Sequence, residues 1–301
     1  LFFGFAIRMP LFPFHGWLPV LAEQGTVASV SIFLVSLKLG VYGAMRFLIP
    51  LLPDVAEEWT WFVVALGLAG IFYGALLALM QINMRRLLAF AIISQTGLLV
   101  IGIFDFNKYG MEGSILLSIT YGLAAAGMFF SLGMIYKRTH TAYIPRLGGI
   151  YDMNAAIAVL FVVCALSTMV MPGTPGFDGI HLLLEGTIKG QGWLVAIAIL
   201  IGNVLAVGLL LRAFQQIFIA SPKRYQGPFK SAMQGATQPS PRNEWAIAIV
   251  ICAILITAGM HISPWLNIID QNIQSISGTY SGVEILQTEM LAAQHSTTKD
   301  Y

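Results

Sequence analysis

The sequence predicts an all-α polytopic membrane protein of about eight transmembrane segments, two of them broken helices. Three observations predict it. Of 301 residues, 57% are hydrophobic and only 10% are charged, against about 25% charged in a soluble domain. Apolar windows of the roughly 20 residues that cross a bilayer recur along the whole chain. The loops between them alternate in charge. Arg85/Arg86, Lys137/Arg138/Arg146 and Lys223/Arg224/Lys230/Arg242 fall on one side. Asp54/Glu57/Glu58, Asp105/Glu112 and a tail with Glu284 and Glu289 fall on the other. The positive-inside rule then puts the basic set in the cytoplasm and the C-terminus outside. The net charge of +2 is spread over loops and predicts no nucleic-acid partner; the expected surroundings are lipid.

Each element has its own signal. Leu1 opens in the middle of an apolar run with no initiator Met and no basic leader, so the start reads as the cut end of a longer protein. Leu1–Met9 is a half-span interrupted at Pro10 and Pro13. Phe14–Pro19 (FHGWLP) follows, then the span Thr26–Ile49 and a Pro/Asp/Glu loop at Leu51–Glu58. Thr60–Gln81 and Leu87–Phe104 are spans joined by a basic turn at Asn83–Arg86. Asp105–Glu112 is a polar turn. Gly113–Tyr136 is a span rich in Gly and Ala, which lets helices approach closely. A basic loop, Lys137–Asp152, leads to a second broken helix with halves Met153–Val170 and Phe177–Ile188. Gly192–Ile219 and Glu244–Met260 are the last spans, separated by the long loop Ala220–Asn243. Ile262–Ile276 reads as interfacial. Residues 1–276 thus form one membrane domain, and 277–301 a polar tail. Cys164 and Cys252 lie within spans as small core residues. No CxxC and no GxGxxG opens a helix, so no cofactor site is expected in this chain.

The second interruption carries the densest chemistry. Met171–Lys189 places Pro172, Gly173, Pro175 and Gly176 ahead of Asp178, His181, Glu185 and Lys189. Steps of three, four and four put those four on one helical face. Titratable groups in a membrane segment are costly and mark an ion or proton route. A broken span is tolerated where its freed backbone meets protein or a water-filled cavity. Asp178, His181 and Glu185 are therefore candidates for a proton path. Asp178 is alternatively a cap for the half-helix, and Lys189 a solvated outer end.

Elsewhere Lys38 lies mid-span, too far from either end to snorkel out. It is either a proton carrier or a structural lysine paired to a carboxylate on a neighbour. Arg8, at the first break, cannot deprotonate and is read as a fixed electrostatic charge. His15 either feeds protons inward or makes an ordinary interfacial hydrogen bond. Gln95, Tyr121 and Tyr42 are mid-span polar groups that line a pathway or bond helix to helix.

Five stretches carry a resemblance: AIRMPLFPFHGWLP (Ala6–Pro19), LKLGVYGAMRF (Leu37–Phe47), IFYGALLALMQINMRRLLAFAIISQTG (Ile71–Gly97), YGLAAAGMFF (Tyr121–Phe130) and MPGTPGF (Met171–Phe177). In order and spacing they resemble the antiporter-like membrane subunits of complex I, the proton-pumping NADH–quinone oxidoreductase, most of all the M type. Cation/proton antiporter subunits share that fold. The resemblance runs from Leu1 to about Ile276 and implies the C-terminal half of a roughly fourteen-helix protein. It also implies other membrane subunits as partners, redox chemistry housed in them, and a bacterial inner membrane.

The family's residues carry over in part. Lys38 matches the lysine of the eighth helix and His15 the histidine of the HGWLP motif. Arg8 stands where the family has a lysine, Gln95 and Tyr121 where it has histidines, and Ile180 where it has Glu or Lys on the broken twelfth helix. The resemblance thus implies a proton-translocating subunit. The departures leave two alternatives, a divergent non-pumping scaffold or gradient-using partner, and a cation/proton antiporter subunit.

Overall fold

The computed structural model describes residues 1–220 and 241–269, the side chain of Met153 excepted. The loop basic residues Lys223, Arg224 and Lys230, the end of the 262–276 segment, and the tail with Glu284 and Glu289 lie outside the described residues. Among the described residues the regular structure is helical, apart from one isolated bridge between Asn83 and Tyr143.

The first helix is broken as expected. Helix α1 (Phe2–Arg8) stops before Pro10 and α2 (Trp17–Gln24) resumes the path. Proline removes a donor and blocks the helix, so carbonyls of α1 lose their partners. Trp17 Nε1 donates back to Ile7 O (3.2 Å) and restores one. Helix α3 (Val27–Leu51) is capped by Thr26, whose hydroxyl oxygen accepts from Ser29 N. It widens into a π turn at Ala44–Leu48. Pro50 follows directly, and its ring cannot sit against the Arg46 carbonyl one ordinary turn back.

One expected loop is a helix. Leu51–Glu58 contains α4 (Pro53–Glu58), with proline in its first turn and Asp54 facing its N-terminus. Helices α5 (Thr60–Met80) and α6 (Met84–Ile103) form a hairpin. Their seam is made of small residues: Gly97 lies on the Gly67 carbonyl, Gly74 on Ser94, and Ser94 Oγ donates to Ile71 O (2.9 Å). The expected basic turn at Asn83–Arg86 is shorter than read, because Asn83 Oδ1 accepts from Arg85 N and starts α6 there. Likewise Asn107 Oδ1 accepts from Gly110 N and opens α7 (Lys108–Thr139), so Glu112 is helical.

Helices α6 and α7 form the centre, with α3 packing on α7. Past Ile144–Arg146 and the short α8 (Ile150–Met153), α9 (Ala155–Thr168) and α10 (Pro175–Gly190) are the halves of the second broken helix, and both also pack on α7. Between them Val170 and Gly173 have positive φ. Helix α11 (Trp193–Ile219) packs on α5, and α12 (Arg242–Met260) on α9. The apolar window of α6 is 94% buried and that of α12 only 17%, which sets centre against periphery. Residues 263–269 are helical. Among the described residues six helices are long and apolar enough to cross a membrane, and two broken ones accompany them, in line with the about eight segments that the sequence predicts.

The two rims are distinct. Met84 N bonds Ala142 O and Ile144 N bonds Ile82 O, so the α5–α6 and α7–α8 connections lie together. Arg85, Arg86, Lys137 and Arg138 gather there. Arg86 pairs with Glu23 (3.5 Å), and Arg138 and Lys137 pair with Glu244 (2.6 and 3.8 Å). At the other rim Asn107 Nδ2 donates to Gly186 O (2.8 Å) and Gln191 Nε2 to Phe104 O (3.1 Å), holding α10 to the α6–α7 turn.

Candidate functional site: a buried polar belt

Buried apolar residues form two clusters. One, on the side of the basic rim, contains Leu37, Ile93, Ala124 and Cys164. The other contains Val41, Leu98, Leu117 and Ile180. Polar residues stand between them on each central helix. Lys38 falls between Leu37 and Val41 on α3, and Ser94, Gln95 and Thr96 fall between Ile93 and Leu98 on α6. Ser118, Thr120 and Tyr121 lie just before the crossing on α7, and Ser167 and Thr168 end α9 at the break.

Lys38 is 8% exposed, and its Nζ is buried with no partner among the described residues. The expected alternative, a carboxylate pair, is not formed there. Its stem runs past α7 at Gly122, where a Cβ would stand 3.4 Å from Lys38 Cγ. That is ordinary contact distance, so the lysine stem packs against α7 at this point. Tyr121, 1% exposed, precedes Gly122. Gln95 is buried, with Oε1 unpartnered.

His15 is buried between the first break and α5–α6. Its ring lies 5.6 Å from Phe12, 5.0 Å from Tyr73 and 6.5 Å from Phe90, and Nδ1 has no partner. This is an enclosed aromatic site, and of the two expected roles the interfacial hydrogen bond is not formed among the described residues at Nδ1. Phe12 from the break, Tyr73 from α5 and Phe90 from α6 enclose the ring. Arg8 donates through Nη2 to Ser36 Oγ (3.0 Å) and lies over the Phe33 ring (5.0 Å). Among the described residues it has no carboxylate partner, which suits a fixed charge.

The charged stripe forms on one helical face, as its spacing predicts, and α7 does not cover that face. Asp178, His181, Glu185 and Lys189 share it, and it points outward from the described chain. The reason is the opposite face. Gly176, Gly179, Ile180, Leu183, Gly186 and Thr187 are buried, with Gly179 against Leu117 and Gly186 against Gly110. Close packing of small residues on α7 fixes the rotation of the helix, and the charges follow. Glu185 Oε1 accepts from Lys189 Nζ (2.7 Å), and Lys189 stands over the Tyr109 ring (4.0 Å). Asp178 lies in the first turn of α10, but the helix start has no side-chain cap bond, so the capping role is not formed. Tyr42 is 49% exposed on the outside of α3 and does not line an interior route within the described chain.

Sequence reading passed over Ser118 and Ser167, whose buried hydroxyls have no partner. It also passed over the burial of Asp105. That carboxyl sits in the α6–α7 turn, where burial pushes its pKa up to about 7 against the lowering effect of the Thr187 hydrogen bond (2.7 Å). The spacing of Ser114, Ser118 and Tyr121 puts them on one face of α7 but does not tell the bonded hydroxyl of Ser114 from the unbonded one of Ser118.

Comparison with known proteins agrees with this architecture. The family model described as "NADH:quinone oxidoreductase/Mrp antiporter, TM" matches residues 1–206. NADH-quinone oxidoreductase subunit M of Rickettsia typhi is 34% identical over 220 residues, covering 73% of this chain and 44% of that protein. The subunit M of Escherichia coli (strain K12) is 31% identical over 271 residues, covering 88% and 51%. The chain therefore spans about half the length of these relatives. Among solved structures, a chain of respiratory complex I from Thermus thermophilus with bound NADH superimposes with a TM-score of 0.83 at 26% identity, over 92% of this chain and 58% of that one. A chain of the Mrp complex from Dietzia sp. DQ12-45-1b has the same fold, with a TM-score of 0.81 at 19% identity, over 93% and 59%. With two broken helices around a buried lysine, and a family match over most of its length, the chain belongs to the NADH:quinone oxidoreductase/Mrp antiporter transmembrane family.

Proposed function

We propose that the protein is a proton-translocating membrane subunit of a complex I-like NADH–quinone oxidoreductase. It moves protons through buried side chains while redox chemistry proceeds in other subunits. The observation that carries this is Lys38, a mid-span lysine with no partner among the described residues, set in a polar belt between two apolar cores. Such a group is expensive in a membrane and is retained for an ion route. His15, Gln95 and Tyr121 belong to the same reading as relay or water-ordering groups. Arg8 supplies a fixed positive field at the first break.

In this reading the basic rim faces the cytoplasm of a bacterial inner membrane and the C-terminal tail lies outside. Residues 1–276 make one membrane domain. Other membrane subunits are the partners. Asp178, His181 and Glu185 serve as an outer proton end where such a neighbour closes over the outward face of α10. Unshielded in lipid, that stripe would be costly.

The test is proton uptake by the parent complex in proteoliposomes. Lys38→Ala is expected to abolish the share of uptake that this chain carries while the assembly persists. Unchanged stoichiometry refutes the pumping role. A second reading, a non-pumping scaffold or gradient-using partner, is favoured by Ile180, which puts a buried aliphatic side chain at the break. A sodium dependence of uptake would instead point to a cation/proton antiporter subunit.

A further inference from the structure

Among the described residues the buried serine and threonine hydroxyls obey a simple rule, and two break it. Among the described residues each of the other buried serines and threonines donates to a main-chain carbonyl, as Ser31 does to Val27 O and Thr120 to Leu116 O, both at 2.8 Å. That is how a membrane helix ordinarily satisfies a hydroxyl. Ser118 Oγ and Ser167 Oγ are equally buried and have no such bond.

Their positions are not random. Ser118 lies one helical turn before Gly122, the residue against which the Lys38 stem rests. Ser167 lies at the end of α9, beside the second break. Its carbonyl oxygen is 2.5 Å from where a Cβ on Gly176 would stand, and the Thr120 methyl is 3.7 Å from the same point. One short stretch of α7, residues 118–122, therefore touches Lys38 on one side and the break on the other. The two unsatisfied hydroxyls are placed along that crossing. Buried polar groups are retained unpaired only where another polar group or water meets them.

We infer that Ser118 and Ser167 are two further relay residues, passing the proton between Lys38 and the second break along internal water. The inference rests on the proton-translocating reading of the chain. At each serine a proton arrives at Oγ along one hydrogen bond as the hydroxyl's own proton leaves along another. No bond order, charge or cofactor changes. The serines take the place on this route that the outward-facing Asp178, His181 and Glu185 do not occupy.

The parent complex in proteoliposomes tests this. Ser118→Ala and Ser167→Ala should each slow proton uptake roughly fivefold, the effect of one hydrogen-bonded partner lost at a barrier. Ser118→Thr and Ser167→Thr, which keep the hydroxyl, should restore it. Uptake unchanged in both alanine variants, or no better with threonine than with alanine, overturns the inference. Lys38→Ala separates the two levels. If it leaves uptake intact, the pumping role fails and this inference with it. If it lowers uptake while the alanine variants do not, only the serine relay fails. For variants that do not assemble, Ser118→Cys and Ser167→Cys give a second readout. Their S–H stretching bands in heavy water, taken as a difference against the native chain, should exchange to S–D. A band that persists means that no water reaches the site and overturns the relay.

Discussion

Lys38 rests on Gly122. The lysine Cγ lies 3.4 Å from the place where a β-carbon of residue 122 would stand. That distance is ordinary contact, so Gly122→Ala should assemble normally. A larger side chain must push the lysine stem aside. Gly122→Leu should cost ~1–3 kcal/mol through overpacking and slow proton uptake by the complex. Uptake measured on both variants, normalised to assembled complex, checks this.

Thr187 has one hydroxyl proton and two acceptors, Asp105 Oδ2 at 2.7 Å and Leu183 O at 2.9 Å. A protonated Asp105 resolves the conflict, since it donates to Thr187 while Thr187 donates to Leu183. Burial pushes this carboxyl up to about 7 from its ordinary 3.8. A pKa raised on folding means that the stabilising contribution is complete below about pH 4 and declines as pH rises to about 7. The thermal unfolding midpoint in lipid nanodiscs should fall across that window. Asp105→Asn should flatten the fall. Thr187→Val should cost ~1–3 kcal/mol by stranding the carboxyl.

Helix α12 is held at its start by Glu244. Arg138 is 6% exposed at its side chain and pairs with Glu244 at 2.6 Å, whereas Lys137 is 74% exposed and lies at 3.8 Å. Glu244→Ala removes a 2.6 Å charge-assisted bond from a buried guanidinium and should cost ~1.5–3 kcal/mol. Lys137→Ala should cost no more than ~1 kcal/mol. Denaturant titration of the two variants against the native protein separates them.

Glycines on helix seams and glycines on uncovered helix faces should respond in opposite directions. A β-carbon at Gly186 would collide with the Gly110 backbone on α7, so Gly186→Ala should loosen α10 and lower complex assembly. Gly208 has no atom within 4 Å of that point. Gly208→Ala should be neutral or stabilising by ~0.5–1 kcal/mol. Assembly yield and melting temperature measured on both report the contrast.

Most of the fold was legible because membrane spans are written in composition. Apolar length marked the spans, and Pro10, Pro13, Pro172 and Pro175 marked the breaks. The rotation of each helix was less legible. The spacing of Asp178, His181 and Glu185 shows that they share a face, but it does not say where that face points; Gly176, Gly179 and Gly186 on the opposite side decide which face meets α7. Close packing of small residues sets the rotation. Tyr42 turned outward for the same kind of reason, since α3 is positioned by Lys38, Gly40 and Val41 on its inner side. Lys38, Gln95 and Tyr121 were legible because their chemistry stands out in an apolar run. Ser118 and Ser167 were not. A serine in a membrane helix looks the same in sequence whether or not its hydroxyl bonds the carbonyl behind it.

The end of α12 carries a consequence of its own. Its Gly259 lies against the Gly173 carbonyl at the second break, while its first turn is fastened to Arg138 at the basic rim. The fifteen residue steps from Glu244 to Gly259 span roughly 22 Å at 1.5 Å per residue. A helix of that length is a stiff spacer. The depth at which the chain is interrupted is therefore gauged from the membrane surface by α12 and not by α9 and α10 alone. Lengthening or shortening this one peripheral rod by a turn would reset the level of the interruption relative to Lys38.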